Sequence, residues 1–223
     1  MRSSRRAGRV EQAARPYHHG ALREALIDAA KQQISAHGVE KLSLAALCKA
    51  LGVSSAAPYK HFQDREALVG EVSARGFRAL ASAMRAARDG LPLCDVEGLT
   101  AMARAYVEYF AAEPEMFHVM WGMTRDKVES EAAFEAGSEA FDLVLECVRG
   151  IQKARGLTNY DARELAVPCW AGVHGVAALK VGEKLRVVEG LDIDRAVEFA
   201  TRAFFAGVEA MSRGAGGKRA ETT

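Results

Sequence analysis

Hydrogen-bonding and cationic side chains are concentrated near the start of the chain, in residues 54–61, SSAAPYKH. The Lys60 ammonium group can donate to a phosphate or to a guanine edge, and the Tyr59 hydroxyl can donate a hydrogen bond. The two serines at the start of the segment are further donors, and the Ala56 methyl group can meet a thymine methyl. These side chains suit contact with DNA bases and phosphates.

The surrounding residues 43–62 predict two short helices joined by a tight turn, which would position these side chains. Ser43 can cap the first helix, Gly52 stands where the chain must turn sharply, and Ser54 can cap the second helix. In a helix-turn-helix the second helix enters the major groove while the first crosses the backbone. We therefore predict a DNA-binding helix-turn-helix.

The charge of the chain is divided unevenly. Residues 1–62 contain ten Lys or Arg and four Asp or Glu, a charge of +6, whereas the remainder carries −5. A basic module on an acidic body can approach phosphates. Residues 1–19 hold five arginines and one glutamate. This arm is either a solvated disordered tail or a segment that follows phosphates or enters the minor groove.

Composition favours a globular protein of the cytoplasm with no membrane partner. The 223 residues can bury a large core, and no apolar run approaches the roughly 20 residues that span a bilayer. The N-terminus also lacks the apolar region of a signal peptide. We expect the four cysteines, Cys48, Cys94, Cys147 and Cys169, to be small buried side chains because no pair has metal or disulfide spacing.

The six histidines and four cysteines show no spacing typical of a nucleophile with its base or of a metal triad. We therefore predict that the chain is not an enzyme and has no catalytic residue, cofactor or metal. A helical DNA-binding protein without an effector pocket is an alternative that the residues alone leave open.

Apolar residues recur every three to four positions through most of the chain, and no stretch alternates as a strand does. The predicted fold is all-α, with a three-helix head joined by a long helix to a larger helical body. The main predicted helices cover residues 21–37, 64–88, 129–153, 161–184 and 192–213. Asp64 can cap the long helix, and Asp161 with Glu164 three residues on predicts a capping box. The predicted organisation is an arm at 1–19, a DNA-binding domain at 20–66, an effector-binding and dimerisation domain at 67–213 and a disordered tail at 214–223.

The segment LGVSSAAPYKHFQDREAL, residues 51–68, resembles the TetR/AcrR family of bacterial transcriptional regulators. In the body, WAGVHG, with Trp170, His174 and Gly175, is similar to the subgroup named for a Trp-His-Gly signature, WHG. Pro58 departs from the family pattern, which usually has an aliphatic residue before the tyrosine. The resemblance implies a homodimer that binds a palindromic operator on double-stranded DNA and responds to a small-molecule effector.

The resemblance also implies which positions contact DNA. They lie at the start of the first motif helix, along the recognition helix and at the start of the long helix. The predicted DNA-binding residues are Ser43, Ser54, Ser55, Ala56, Tyr59, Lys60, His61 and Arg65.

A concentration of Met, Trp and aromatic residues in the body predicts a pocket for a mostly apolar molecule, although ordinary core packing would use the same residues. His174 is either a polar anchor in the pocket wall or a buried histidine that bridges helices. The predicted ligand-binding residues are Met102, Tyr106, Phe110, Phe117, Met120, Trp121, Phe141, Trp170 and His174.

By resemblance, the last two long helices of each subunit would form a four-helix dimer interface. Ala200, Phe204, Phe205 and Val208 fit that role, with the monomer core as the alternative. The sequence thus predicts a ligand-responsive transcriptional regulator, a repressor released from its operator by a small, mostly apolar molecule.

Overall fold

The fold consists of eight α-helices, and no strand occurs in the residues that the structure describes. A computed structural model describes residues 19–92, 95–122 and 130–220, with side chains described between 21 and 213. In chain order the helices are α1 (His19–His37), α2 (Leu44–Leu51), α3 (Arg65–Arg88), α4 (Val96–Ala112), α5 (Pro114–Trp121), α6 (Glu131–Arg155), α7 (Ala162–Val181) and α8 (Ile193–Ala220). The predicted all-α fold is confirmed.

Local capping chemistry fixes the path of the N-terminal head. The Ser43 hydroxyl caps α2 by accepting a hydrogen bond from the Ala46 N–H at 3.3 Å. Gly52 ends α2 in the left-handed conformation, with φ 66°, where a side chain would be strained. Asp64 caps α3 by accepting a hydrogen bond from the Ala67 N–H at 2.7 Å. All three features agree with the prediction.

The second helix of the motif is shorter than predicted. In place of a helix beginning at Ser54, the chain makes a 3₁₀ turn over Pro58–Lys60. The Ser54 carbonyl instead accepts a hydrogen bond from the Ala57 N–H at 3.0 Å. An α-helix from Ser54 would need an N–H at residue 58 for that carbonyl, and proline has none. The Pro58 ring is itself buried.

Helix α3 runs from the head into the body and packs against α1, α4, α5 and α6. Its contact with α5 is close at Gly76, because a Cβ there would lie 2.6 Å from Met116 Cε and from Met120 Sδ. The Tyr109 hydroxyl of α4 donates a hydrogen bond to the Gly76 carbonyl at 3.2 Å. The backbone of α3 is therefore in direct contact with both α4 and α5.

The C-terminal helices close the body. Asp161 and Glu164 form the predicted capping box at the start of α7. The hydroxyl groups of Thr100 on α4 and Thr201 on α8 are buried and lie 2.7 Å apart. Helix α8 continues to Ala220, into the segment whose composition predicts a disordered tail. A helix extends at low cost once formed, because each added residue gains one hydrogen bond.

Some predictions fall on residues that the structure does not describe. The basic arm lies outside the described residues except at its end, where α1 begins at His19. Cys94 and residues 221–223 of the tail lie outside them too. The other three cysteines are buried, as predicted.

Candidate nucleic-acid interface and ligand cavity

The 3₁₀ turn and the loop before it present their polar side chains outward. Ser54, Ser55, Ala56 and Lys60 are exposed, and Tyr59 is 60% exposed. Such an exposed cluster of hydroxyl and ammonium donors beside a helix-turn-helix suits contact with a phosphate backbone and base edges. The structure thus brings five of the eight predicted DNA-binding residues together on one exposed segment.

The neighbouring aromatic residue, Phe62, belongs to the head core. It is 5% exposed, and the Arg23 guanidinium lies 5.5 Å from its ring centroid. His61, between Phe62 and the exposed segment, is half-buried. Phe62 therefore anchors the turn from beneath while its neighbours face outward.

Two other predicted DNA-binding residues have structural partners. The exposed Ser43 uses its hydroxyl to cap α2, and its N–H donates to Gln33 Oε1 at 3.2 Å. Arg65 donates from Nε to the Leu42 carbonyl at 3.2 Å and from Nη2 to the Val39 carbonyl. Arg65 thus ties the start of α3 to the chain that precedes α2. Contact of either residue with DNA stays a prediction.

The body contains a cavity of about 450 Å³ between α3, α4, α5, α6 and α7. Four of the nine predicted ligand-binding residues line it, namely Tyr106, Trp121, Phe141 and Trp170. Most of the remaining wall is apolar. Lining residues that sequence reasoning did not assign to a pocket are Phe77, Leu80, Met84, Phe134, Gly137, Ser138, Ala140, Asp142, Val144, Leu145, Arg163 and Val167.

The other predicted ligand-binding residues lie behind this wall or away from it. Met102 lines a separate cavity of about 30 Å³, and Phe110 is fully buried. Phe117, Met120 and His174 do not line the main cavity. The sequence could not separate these positions from the wall because a helical stripe identifies a buried face, not the space beside it.

His174 is held within a cluster of aromatic rings. The Tyr106 hydroxyl and His174 Nδ1 are 2.7 Å apart and share a hydrogen bond. The imidazole stacks on the Phe117 ring at 5.1 Å between centroids and meets the Trp121 ring edge-on at 5.0 Å. Burial lowers the pKa of His174 and raises the pKa of Tyr106, so both groups are neutral near pH 7. These contacts support the alternative in which His174 is a buried histidine that bridges helices.

Helix α5 connects the cavity to the head. Its first flanking residue, Glu113, accepts from Lys31 Nζ at 2.8 Å and from the Ser35 hydroxyl at 3.2 Å, both on α1. Its last residue, Trp121, lines the cavity and meets the Phe77 ring of α3 edge-on at 5.2 Å. One short helix therefore contacts both the cavity and α1 of the head.

The predicted dimer residues face mostly inward. Phe205 is fully buried and Val208 is 7% exposed, which agrees with the alternative that they belong to the monomer core. Contact of either residue with a second subunit stays a prediction. Ala200 and Phe204 are half-buried. The sequence could not distinguish these faces because α8 carries apolar residues on two sides, and periodicity does not identify the inner one.

A different apolar face of the last two helices is exposed. On α8, Phe199 is 75% exposed, and Ala203, Ala206 and Ala210 follow it at helical spacing. The exposed apolar residues of α7 include Val167, Ala171 and Leu179. These apolar side chains are therefore available for contact with another molecule.

The described parts of the chain contain neither a metal-binding cluster nor a membrane-spanning helix. No group of three or more His, Cys, Asp or Glu residues there is placed to hold a metal ion. No helix there combines the length and apolar character needed to cross a membrane.

The helix-turn-helix head and the helical body with its cavity define a DNA-binding regulator. Residues 26–72 match the family model for bacterial regulatory proteins of the tetR family. Residues 99–204 match the model for a tetracyclin repressor-like C-terminal domain. The chain belongs to the TetR family of transcriptional regulators. The resemblance of WAGVHG to the WHG subgroup stays a prediction.

Solved structures share this architecture. A protein of unknown function from Rhodococcus sp. RHA1 is 34% identical, with a TM-score of 0.74 over 88% of this chain and 98% of that one. A tetR family transcription regulator from Shewanella sp. PV-4 is 17% identical, with a TM-score of 0.57 over 85% and 96%. A regulator from Saccharomonospora viridis in complex with choline is 17% identical, with a TM-score of 0.61 over 81% and 94%. These last two likenesses show the fold alone. No curated protein matches the chain.

Proposed function

We propose that this TetR-family protein is a ligand-responsive repressor that binds a palindromic operator as a homodimer and is released by a small, mostly apolar molecule. The observation that carries the proposal is the cavity of about 450 Å³, whose wall includes the end of α5. The opposite end of α5 is joined to the head through Glu113. A ligand in the cavity therefore acts on an element that touches the DNA-binding unit.

The DNA contacts in this proposal come from the exposed segment of the head. Lys60 and Tyr59 donate to phosphates or base edges, and Ser54, Ser55 and Ala56 meet the major groove. Arg65 holds the start of α3 against the head. A single head covers little DNA, so two heads related by a two-fold axis are needed for a specific site.

The exposed apolar stripes of α7 and α8 support the dimer. Phe199, Ala203, Ala206 and Ala210 form an exposed stripe of small side chains with one aromatic residue. Pairing this surface with its copy would bury apolar area that the protomer leaves exposed. This stripe replaces Phe205 and Val208 in the proposed interface.

The proposed mechanism is a shift between two arrangements of α5 and α3. A ligand against Trp121 favours one position of α5, and the close contact at Gly76 transmits that position to α3. The separation of the two heads then changes and no longer matches the operator. The ligand must bind the two arrangements with different affinities for this to occur.

The experiment that tests this proposal begins with recovery of genomic fragments bound by the purified protein. Operator affinity is then measured while a metabolite panel is titrated. A compound that raises the melting temperature and weakens operator binding supports the proposal. Compounds that stabilise the protein and leave operator affinity unchanged would contradict it and favour a DNA-binding protein without effector control.

A further inference from the structure

Arg65, at the start of α3, has an acceptor for each of its three guanidinium nitrogens. Nε donates to the Leu42 carbonyl at 3.2 Å, Nη2 donates to the Val39 carbonyl, and Nη1 donates to Glu66 Oε1 at 3.1 Å. The side chain is only 27% exposed, whereas Lys60 is exposed. The edge formed by Nε and Nη2, which can bind a phosphate through two parallel hydrogen bonds, is therefore already occupied by the backbone.

The two carbonyls belong to a short junction, residues 38–42, that joins α1 to α2. Gly38 begins the junction with φ 83°, a conformation that favours glycine, and Leu42 ends it as a buried residue. Helix α5 packs against the junction, since a Cβ on Gly38 would lie 3.4 Å from Glu115 Oε2. The junction is therefore touched by α5 and, through Arg65, by α3, the two helices of the proposed mechanism.

Residues 43–64 form a loop that leaves this junction and returns beside it. Ser43 caps α2 directly after the junction, and Asp64 caps α3 directly before Arg65. The exposed segment 54–60, with the side chains proposed to contact DNA, lies within the loop. Arg65 therefore joins the two ends of the loop that carries the proposed DNA contacts.

We propose that Arg65 is a positioning residue, which sets the placement of residues 54–60 relative to α3 and acts on operator affinity through that placement instead of through contact with a phosphate. The inference rests on the proposed function, in which residues 54–60 contact DNA and α3 moves. A shift of α3 would then carry the DNA-contacting segment with it.

Arginine suits this role because its planar guanidinium group can hold two carbonyls at once, whereas a lysine ammonium group is a point charge on a flexible stem. Without these hydrogen bonds, the head would occupy its DNA-binding arrangement for a smaller fraction of the time. The apparent operator affinity falls in proportion to that fraction.

Three full-length variants separate positioning from phosphate contact. Arg65→Lys keeps the positive charge and loses the planar pair of donors, whereas Arg65→Gln loses both. Lys60→Gln is the matched variant, because it removes one positive charge from the exposed segment. Affinity is measured over a range of salt concentrations for an operator recovered from genomic fragments and for a random duplex of the same length.

We expect Arg65→Lys and Arg65→Gln each to weaken operator binding by about 3- to 10-fold, as the loss of one net hydrogen bond predicts. The slope of log affinity against log salt should stay nearly unchanged in both, and binding to the random duplex should weaken less. Lys60→Gln should instead reduce the slope by about 0.9 for each head, the value for one phosphate contact.

A second measurement needs no DNA. Amide hydrogen exchange, followed by mass spectrometry, should become faster in residues 38–62 of both Arg65 variants and stay unchanged in α7. Hydrogen exchange reports local opening, which the loss of a phosphate contact would not alter in the free protein. If Arg65→Gln fails to fold, Arg65→Lys still decides, because a phosphate contact predicts that this variant keeps the full operator affinity.

A slope that falls in Arg65→Gln as much as in Lys60→Gln, with full affinity in Arg65→Lys, would overturn the inference and leave the proposed repressor in place. Unchanged operator affinity in both Arg65 variants, or unchanged exchange in residues 38–62, would also overturn it. Equal binding of operator and random duplex by the unmutated protein would contradict the proposed function. The exchange measurement would then still support or overturn the positioning role of Arg65.

Discussion

The Lys31 ammonium group lies 2.8 Å from the Glu113 carboxylate and joins α1 of the head to the start of α5. The Ser35 hydroxyl donates to the same carboxylate at 3.2 Å. Helix α5 ends at Trp121, in the cavity wall. A displacement of α5 by a bound molecule would therefore act on the head at this carboxylate, in addition to its effect on α3 at Gly76.

The first prediction concerns this carboxylate. Glu113→Gln removes the charge that holds Lys31, so we expect the ligand-induced change in operator affinity to fall several-fold. The melting temperature should change little, because partly exposed ion pairs contribute only about 0–1 kcal/mol. The measurement is the ratio of operator dissociation constants with and without an effector. Glu209→Gln, which removes a carboxylate paired with Arg155 in the body, should retain the full ratio. If Glu113→Gln keeps the unmutated ratio of operator dissociation constants, the ligand effect does not pass through this carboxylate.

The second prediction concerns the proposed DNA surface. We expect Lys60→Ala and Tyr59→Ala each to weaken operator binding by about 1–3 kcal/mol, because each removes a donor to phosphate or base. Both side chains are exposed, so the free energy of unfolding should stay unchanged. Fluorescence anisotropy with labelled operator gives the affinities. Lys153→Ala, an exposed lysine of α6, is the control. If both head variants bind as tightly as the control, this face does not contact the operator.

The third prediction separates the two faces of α8. Phe199→Asp places a charge on the exposed stripe, so we expect folded monomers, measured by light scattering after gel filtration. Tyr59→Asp, at another exposed aromatic residue, should leave the mass unchanged. Phe205→Asp should instead unfold the protein, because that side chain is fully buried. A folded dimer of Phe199→Asp would place the interface elsewhere.

The fourth prediction concerns pH. Burial lowers the pKa of His174, so the unfolded chain binds its proton more readily than the folded chain. The free energy of unfolding should therefore fall as the pH drops through the ordinary pKa of histidine, about 6.5. Urea unfolding at high and low pH should show a weaker pH dependence in His174→Gln than in the unmutated protein. His118→Gln, at an exposed histidine, is the control. If the free energy of unfolding depends on pH equally in all three proteins, burial of His174 does not cause the dependence, and the prediction is contradicted.

Features of the fold that depend on local chemistry could be predicted from the sequence. Ser43, Gly52 and Asp64 act as expected because caps and left-handed turns are decided by a few neighbouring atoms. Pro58 shows the limit of this reasoning. Proline is tolerated in the first turn of a helix, but the N–H that Pro58 lacks is the one that the Ser54 carbonyl would need if the helix began at Ser54.

The cavity and the exposed stripe could not be predicted in the same way. Phe110 and Phe134 both occur in helical apolar stripes, yet Phe110 is fully buried and Phe134 is 59% exposed at the cavity. Phe199 and Phe205 likewise lie on opposite sides of one helix. Which face turns inward depends on contacts between helices distant in the chain, and sequence spacing does not contain them.

The central claim is that occupation of the cavity controls DNA binding. Its most direct test follows tryptophan fluorescence and operator anisotropy together in one sample during titration with each stabilising compound. Both tryptophans line the cavity, so the fluorescence change measures its occupation. We predict that at least one compound releases the operator over the same concentration range in which it changes the fluorescence. Saturation of the fluorescence change by every such compound, with operator affinity unaltered, would contradict the claim.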